Sequence, residues 1–460
     1  MLASGRQCTV YQGLIVKKSV VALLITLALI VLISPGIVGR LAEQSMQENL
    51  DWASTESLEF VITSQGFDRG WFSSAGRHRI EFRDGALQGA LLRLAGADTV
   101  AVLPALIVNT RLDHGLIPVT SLTREQGSLK PGLGSAISTF SLELADGEII
   151  ALPGTIYSTL SLAGELQSNF VLQADGFESE KVRIDWGATD ILVTTNPTNG
   201  SIDVEGSIDS ISIQSPREML RFDKIELTIQ QRMSPFGFAV GDLKFSWQAM
   251  TEGTGADTTT IGPVTINSNL AVDDDRVNGH VTLKLENAPF ADFGTAAMVA
   301  NIRLKNADGV AIANLKRALE KMSFDEDALT AFESLDNDLR RLLAAGIELH
   351  IEQLEVSLPQ GSITSTFSFI VAETDLNGFT WTAALLALDA RADISLPVEL
   401  VELALDMNPQ LNAAIGMGFL RKNGAFYVME AAFEKGLLTI NGAPMPIPLP
   451  GLQSLTHTTD

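Results

Sequence analysis

The feature that most constrains this chain is a period of two. In KIELTIQ the apolar residues Ile225, Leu227 and Ile229 point one way; LKFSWQ repeats the pattern with Leu243, Phe245 and Trp247, and HVTLKLE with Val281, Leu283 and Leu285. Successive side chains of a strand point to opposite faces, so this alternation predicts half-buried antiparallel strands, which turn residues bound. Two segments change phase. In GIELHIEQLEVSLP the set Ile347, Leu349, Ile351 gives way to Leu354, Val356, Leu358, which predicts a bulge near Gln353. A similar slip separates Ile208 from Ile211 in SIDVEGSIDSISIQ. Long strands with bulges build curved sheets.

Helical periodicity is rarer and falls in the second half. Residues 310–346 place Ile312, Leu315, Leu319 and Met322 on one face, then a polar break, then Leu329, Phe332, Leu335, Leu339 and Leu342. That spacing predicts two amphipathic helices. After Pro397 a further helix or pair is expected, interrupted at Asn408-Pro409 because proline lacks an N–H and clashes with the preceding turn. The stretch 287–304 is expected to begin a short helix at Ala291. The expected fold is α+β and β-dominated: an N-terminal transmembrane helix, then long curved antiparallel sheet, with a few packed helices in the C-terminal half.

From Ser19 to Gly39 there is no charged residue in 21, a length that spans about 31 Å as a helix, roughly one bilayer core. Arg6, Lys17 and Lys18 precede it, while Arg40 is followed by Glu43, Glu48 and Asp51. That asymmetry predicts an N-terminus inside (1–18), an uncleaved anchor (19–39) and a body outside; in a bacterium these are a cytoplasmic N-terminus, an inner-membrane anchor and a periplasmic body. The body divides into a strand-rich part, 40–286, and a mixed strand and helix part, 287–460. A cleaved signal peptide is the rival reading, but no good small-residue cleavage site follows and the apolar run exceeds the usual signal core.

Charge and cysteine narrow the function classes. All 55 Asp and Glu lie after residue 40 and 29 of the 32 Lys and Arg lie from residue 40 on, so residues 40–460 carry 29 minus 55, or -26. Such a surface repels polyanions, and nucleic acid is not an expected partner. The one cysteine, Cys8, precedes the apolar stretch, so the body contains no disulfide.

Catalytic patterns are missing. The histidines His78, His114, His280, His350 and His457 show no metal-ligand spacing. Asp273-Asp274-Asp275 begins like a calcium loop, but Val277 takes a ligand position and no Glu closes it; a hairpin turn at Asn278-Gly279 is expected instead. Gly132-Leu133-Gly134-Ser135 reads as a loop, and Glu348 and Glu352 as solvated carboxylates on a strand's polar face. No nucleophile and base pair stands out, and no enzyme activity, metal or cofactor is expected.

Four features in order, the apolar segment, Gly70-Trp71-Phe72-Ser73-Ser74 before a strand, His114-Gly115 after VNTRLD, and GLLTINGAPMPIPLP near the end with Asn441-Gly442, span nearly the whole chain. In this the sequence resembles the YdgA-like family of Gram-negative envelope proteins. Leu116 follows His114-Gly115 where the family has proline. The resemblance implies an envelope location and this architecture, with no established enzymatic activity. From the residues themselves, Trp71 and Phe72 are expected to dock a turn on the sheet, with Gly70 allowing the bend and Ser73 or Ser74 bonding backbone. His114 is expected in a hydrogen-bonded turn. The anchor joined to alternating strands, an architecture similar to the AsmA-like lipid-handling proteins, favours a lipid partner held in an apolar groove for envelope maintenance. The alternative is a scaffold that dimerises or binds envelope proteins through a sheet edge.

Overall fold

The computed structural model describes residues 60–446 apart from 70–72, 84–104, 115–131, 144–146, 148, 162, 179–182, 197–198, 215–218, 255–256, 291–292, 322–334 and 406–408. The predicted anchor, 19–39, lies outside the described residues. Among the described residues no helix is long and apolar enough to cross a membrane.

The chain runs back and forth as one antiparallel meander. Its first strands are β1 (Phe60–Arg69), β2 (Ser73–Phe82), β3 (Ala105–His114), β4 (Gly132–Glu143) and β5 (Ile149–Ser161), each paired with the next. β6 (Leu166–Leu172) and β7 (Asp175–Glu178) follow in one line, and β8 (Arg183–Trp186) and β9 (Thr189–Asn196) return in the next. The 14-residue β10 (Ser201–Gln214) pairs with both β9 and β8. Then come β11 (Met219–Met233), β12 (Ala239–Thr254), the aligned β13 (Asp257–Ile261) and β14 (Val264–Asp273), β15 (Arg276–Pro289) and β16 (Thr295–Asp308).

Helices α1 (Gly309–Lys321) and α2 (Asp336–Ala344) separate β16 from β17 (Glu348–Leu358), which nevertheless pair side by side. β18 (Gly361–Val371) precedes α3 (Trp381–Ala387), and β19 (Leu388–Pro397) precedes α4 (Val398–Leu405) and α5 (Pro409–Gly416). The short β20 (Arg421–Asn423), β21 (Phe426–Glu434), β22 (Leu437–Ile440) and β23 (Ala443–Met445) complete the sheet.

The alternating segments fall within β11, β12 and β15, and the phase change near Gln353 is a bulge: Ile351 pairs with Phe367 and Leu354 with Ser365, so two residues of β17 face no regular partner. The slip between Ile208 and Ile211 marks where β10 passes from β9 to β8, bridged by the hydrogen bonds Gly187 N–H to Ser210 O and Asp209 N–H to Ala188 O. Of the expected helix pair α1 and, from Asp336, α2 are described, while Met322, Leu329 and Phe332 lie outside the described residues, and the proline break coincides with the start of α5 at Pro409, the first-turn position where a missing N–H costs nothing.

Two expectations are corrected. The turn closing β14 and β15 is Asp274-Asp275, with Asp273 opposite Arg276, and Asn278 and Gly279 lie inside β15. The cause is register: this turn sets Val272 opposite Val277 and Ile266 opposite Leu283, whereas a turn at Asn278-Gly279 would set Val281 and Leu283 against Arg276 and Asp274. The short helix expected to begin at Ala291 falls on residues 291–292, outside the described residues; from Thr295 the chain is strand, with Ala296, Met298, Ala300, Ile302 and Leu304 in a period of two. Gly132-Leu133-Gly134-Ser135 opens β4 through a bulge. Helix α3 went unpredicted; its signal is Thr380, whose Oγ1 accepts the Ala383 N–H at 3.1 Å.

Candidate functional site

Following the ladders from strand to strand shows what the alternation builds. One line of directly opposed residues runs Ala136, Ser158, Ser168, Val193, Val204, Ile229 and Leu243 from β4 to β12. It continues through Ser268, Val281, Ile302, Ile351, Phe367, Ala392, Ala431 and Ile440 to β22. A second line, two residues along each strand, runs from Gly76 through Thr110, Ser138, Ile156, Phe170, Ile191 and Gly206 to Leu227. It goes on through Phe245, Ile266, Leu283, Ala300, Leu354, Ser365 and Ile394 to Met429. Neither line contains a charged side chain. Opposed residues of a ladder share a face, so the two lines form one apolar surface.

Burial changes along it. In the N-terminal half the surface is a core: Phe170, Ile191, Val193, Val204 and Ile229 are all buried. From Leu243 to Ile440 every position of the first line is half-buried or exposed, and Val281 and Ile302, directly opposed, are 38% and 37% exposed. This is where an apolar surface meets water.

Helices wall this open part at both strand ends. At one end Ala311 and Ala313 of α1 and Leu342 of α2 join Phe238, Val240, Val277 and Ala307, with Leu270 and Leu304 packed against them. Asp308 holds that wall: its Oδ1 accepts the Ala311 N–H at 2.8 Å as the α1 cap, and Arg341 of α2 pairs with both oxygens at 3.1 and 2.9 Å. At the other end Leu400 of α4 packs on Ala296 and Leu358 with Val356 and Ile363. Between the walls, from Leu304 to Met298 along β16, six residues span about 20 Å, and the open first line, with the second line and its buried Ala300 beside it, forms the floor.

The opposite face is polar and charge-paired. Arg303 bonds Glu352 at 2.9 Å and Lys305 bonds Glu348 at 3.2 Å. The His350 imidazole, 3.2 Å from Glu348, and then Lys305 hold the Glu348 carboxyl below its usual range, against the opposing influence of burial. These carboxylates are therefore cross-strand partners as well as solvated groups.

His78 is the exception on the apolar face. It is 6% exposed, in register with Ser64 and Val108, and neither ring nitrogen has a partner. Burial pushes its pKa down, so the ring is held neutral.

The family-motif positions divide among distant places. Gly70, Trp71, Phe72 and Gly115 lie outside the described residues. Ser73 and Ser74 begin β2 opposite Asp113 and Leu112, and His114 ends β3 opposite Gly134, so its backbone is strand. Asn441 and Gly442 form the two-residue turn between β22 and β23, with φ of 49° and 77°, the left-handed values that asparagine and glycine tolerate. Asn441 Nδ2 donates to the carbonyl oxygens of Gly418 and Phe419 at 2.8 and 3.0 Å, and its Oδ1 accepts the Glu430 N–H at 2.9 Å. It ties this hairpin to the turn after α5. The open trough itself contains none of these motif residues.

Among the described residues no three His, Cys, Asp or Glu side chains come together to hold a metal. A family model of bacterial proteins of unknown function, DUF945, matches residues 16–448. No curated protein and no solved structure matches the chain.

Proposed function

This chain belongs to the DUF945 family of bacterial proteins of unknown function, and from that premise and its own geometry we propose that it holds lipid acyl chains on the open part of its apolar sheet face. In this reading it is a non-enzymatic, YdgA-like envelope protein, anchored in the inner membrane by residues 19–39 with its body in the periplasm. The observation that carries the proposal is the line of uncharged side chains that stays open from Leu243 to Ile440 between two helical walls. A contiguous apolar surface left in water is unfavourable by about 25 cal/mol per Å², and surfaces of this kind mark binding sites. Acyl chains suit it because the floor offers no charged group to pair with a polar ligand.

The test is to extract the full-length protein from membranes in a detergent with no glycerophospholipid, and to look for co-purified phospholipid by mass spectrometry. Stoichiometric phospholipid is expected; a lipid-free protein that also takes up none from vesicles would sink the proposal. The anchor has its own test, retention in the membrane after alkaline washing. A soluble species starting near Arg40 would replace the anchor by a cleaved signal.

A second reading, docking of a partner protein, has support in Leu403, Met417 and Phe426, which are 52%, 61% and 42% exposed around α4, α5 and β21. A lipid-free body that is monomeric by light scattering and crosslinks to nothing in cells would remove it.

A further inference from the structure

We infer that the trough is a serial track, holding at least two diacyl lipids one after another rather than a single lipid in one site; this rests on the acyl-binding reading above. The open line from Leu243 to Ile440 crosses from β12 to β22 through nine opposed positions, hence eight strand-to-strand steps. At about 4.8 Å a step its contour is about 38 Å. One acyl chain fills half of a bilayer core, about 15 Å. The line is more than twice as long as the chain it would hold.

Its width fits the same ligand. The two parallel lines are two residues apart along each strand, about 6.6 Å, and three apart only across the bulge of β17. That matches two acyl chains of one lipid lying side by side, running across the strands, with the head group at the water-facing side. Among the described residues no charged side chain divides the two lines into separate sites. The most polar groups on its open part are the hydroxyls of Ser268 and Ser365, and its most exposed pair, Val281 and Ile302, takes the third and fourth of the nine positions. A chain displaced by one strand meets the same chemistry as before, so bound lipid can advance along the face without passing through water.

The experiment loads full-length protein with phosphatidylethanolamine and phosphatidylglycerol from vesicles and counts phospholipids per chain by native mass spectrometry. In parallel, a photo-crosslinking residue is placed at Ser268 or at Ala392, either side of the Val281–Ile302 pair. Two or more lipids per chain, with crosslinks at both positions, are expected. Ile302→Glu should leave lipid crosslinked at each flank while lowering the rate at which lipid first captured at one flank reaches the other by tenfold or more. Thr366→Glu, on the opposite face, should change neither count nor rate. Saturation at one lipid per chain would overturn the track and leave the acyl-binding reading standing; no bound lipid would overturn both. Because the count is made on the unsubstituted chain, the inference is decided even if Ile302→Glu does not fold.

Discussion

Replacing Asp308 should loosen one wall of the trough. Its carboxylate performs two separable tasks, capping α1 through Ala311 and pairing with Arg341 of α2, and it sits at the end of β16, so three elements meet on one side chain. Asp308→Ala removes the cap, about 1 kcal/mol, and a two-pronged charge-assisted contact, about 1.5 to 3 kcal/mol. Arg341 keeps 36% of its side chain in water, so its freed charge is partly rehydrated and the larger penalty of a fully buried broken pair does not apply. The expected loss is about 2.5 to 4 kcal/mol. Asp308→Asn keeps a capping oxygen and forfeits only the charge, so it should cost roughly half as much. Urea unfolding followed by tryptophan fluorescence measures the totals, and amide exchange across 309–344 shows whether the loss is confined to α1 and α2. In an Arg341→Met background the two Asp308 substitutions should converge to within about 1 kcal/mol, because only the cap then distinguishes them. A change below about 0.5 kcal/mol for Asp308→Ala would refute the claim that this side chain holds the wall.

Three further outcomes follow from single side chains. Asn441→Asp is isosteric and keeps the turn, but turns two N–H···O=C bonds to Gly418 and Phe419 into oxygen–oxygen contacts; it should cost about 2 to 4 kcal/mol in urea unfolding, more than Asn441→Gly, which leaves φ relaxed. His78 has a lowered pKa in the folded chain, so the unfolded chain takes up its proton first as pH falls; stability should be unaffected above about 6.5 and drop below it by up to about 1.4 kcal/mol per pH unit, a slope that His78→Phe abolishes in pH-dependent denaturation curves. A Cβ at Gly206 would lie 2.9 Å from Ile191 Cγ1 in the buried half of the face, so Gly206→Ala should destabilise by about 1 to 3 kcal/mol, whereas Val281→Ala on the open floor should cost less than about 1 kcal/mol, both by urea unfolding.

What was legible in the sequence was local. Alternation in β11, β12 and β15 names the buried face of each strand, the phase change near Gln353 gives the bulge, and Pro409 gives the start of α5. The turn at Asp274-Asp275 was legible only in part, because Asn278-Gly279 is a better turn dipeptide taken alone; the register of a whole strand pair outweighs it. Helix α3 has seven residues, too few for a periodic pattern to stand out. The Asp308 cap carries a recognisable signal, an aspartate directly before an apolar helical pattern, but its pairing with Arg341 crosses 33 residues and a connection no local rule spans.

The trough lies beyond such reading because alternation says only that each strand hides one face, and not what hides it. Helical content bears on that question. A helix is about 10 Å wide and thus covers about two strands, and α1, the longest described, has 13 residues, about 20 Å. The floor from β12 to β22 is about 38 Å across, and the helices beside it, α1, α2 and α4, of 13, 9 and 8 residues, are held at the strand ends by packing on Val277, Ala307 and Leu358. Three short helices fixed at the rims cannot also roof the middle. Among the described residues this wide apolar face is left uncovered by the helices beside it, and a second polypeptide or a non-protein apolar occupant would cover it. The two lines of uncharged residues, continuous across strands and spaced like paired acyl chains, weigh toward the second.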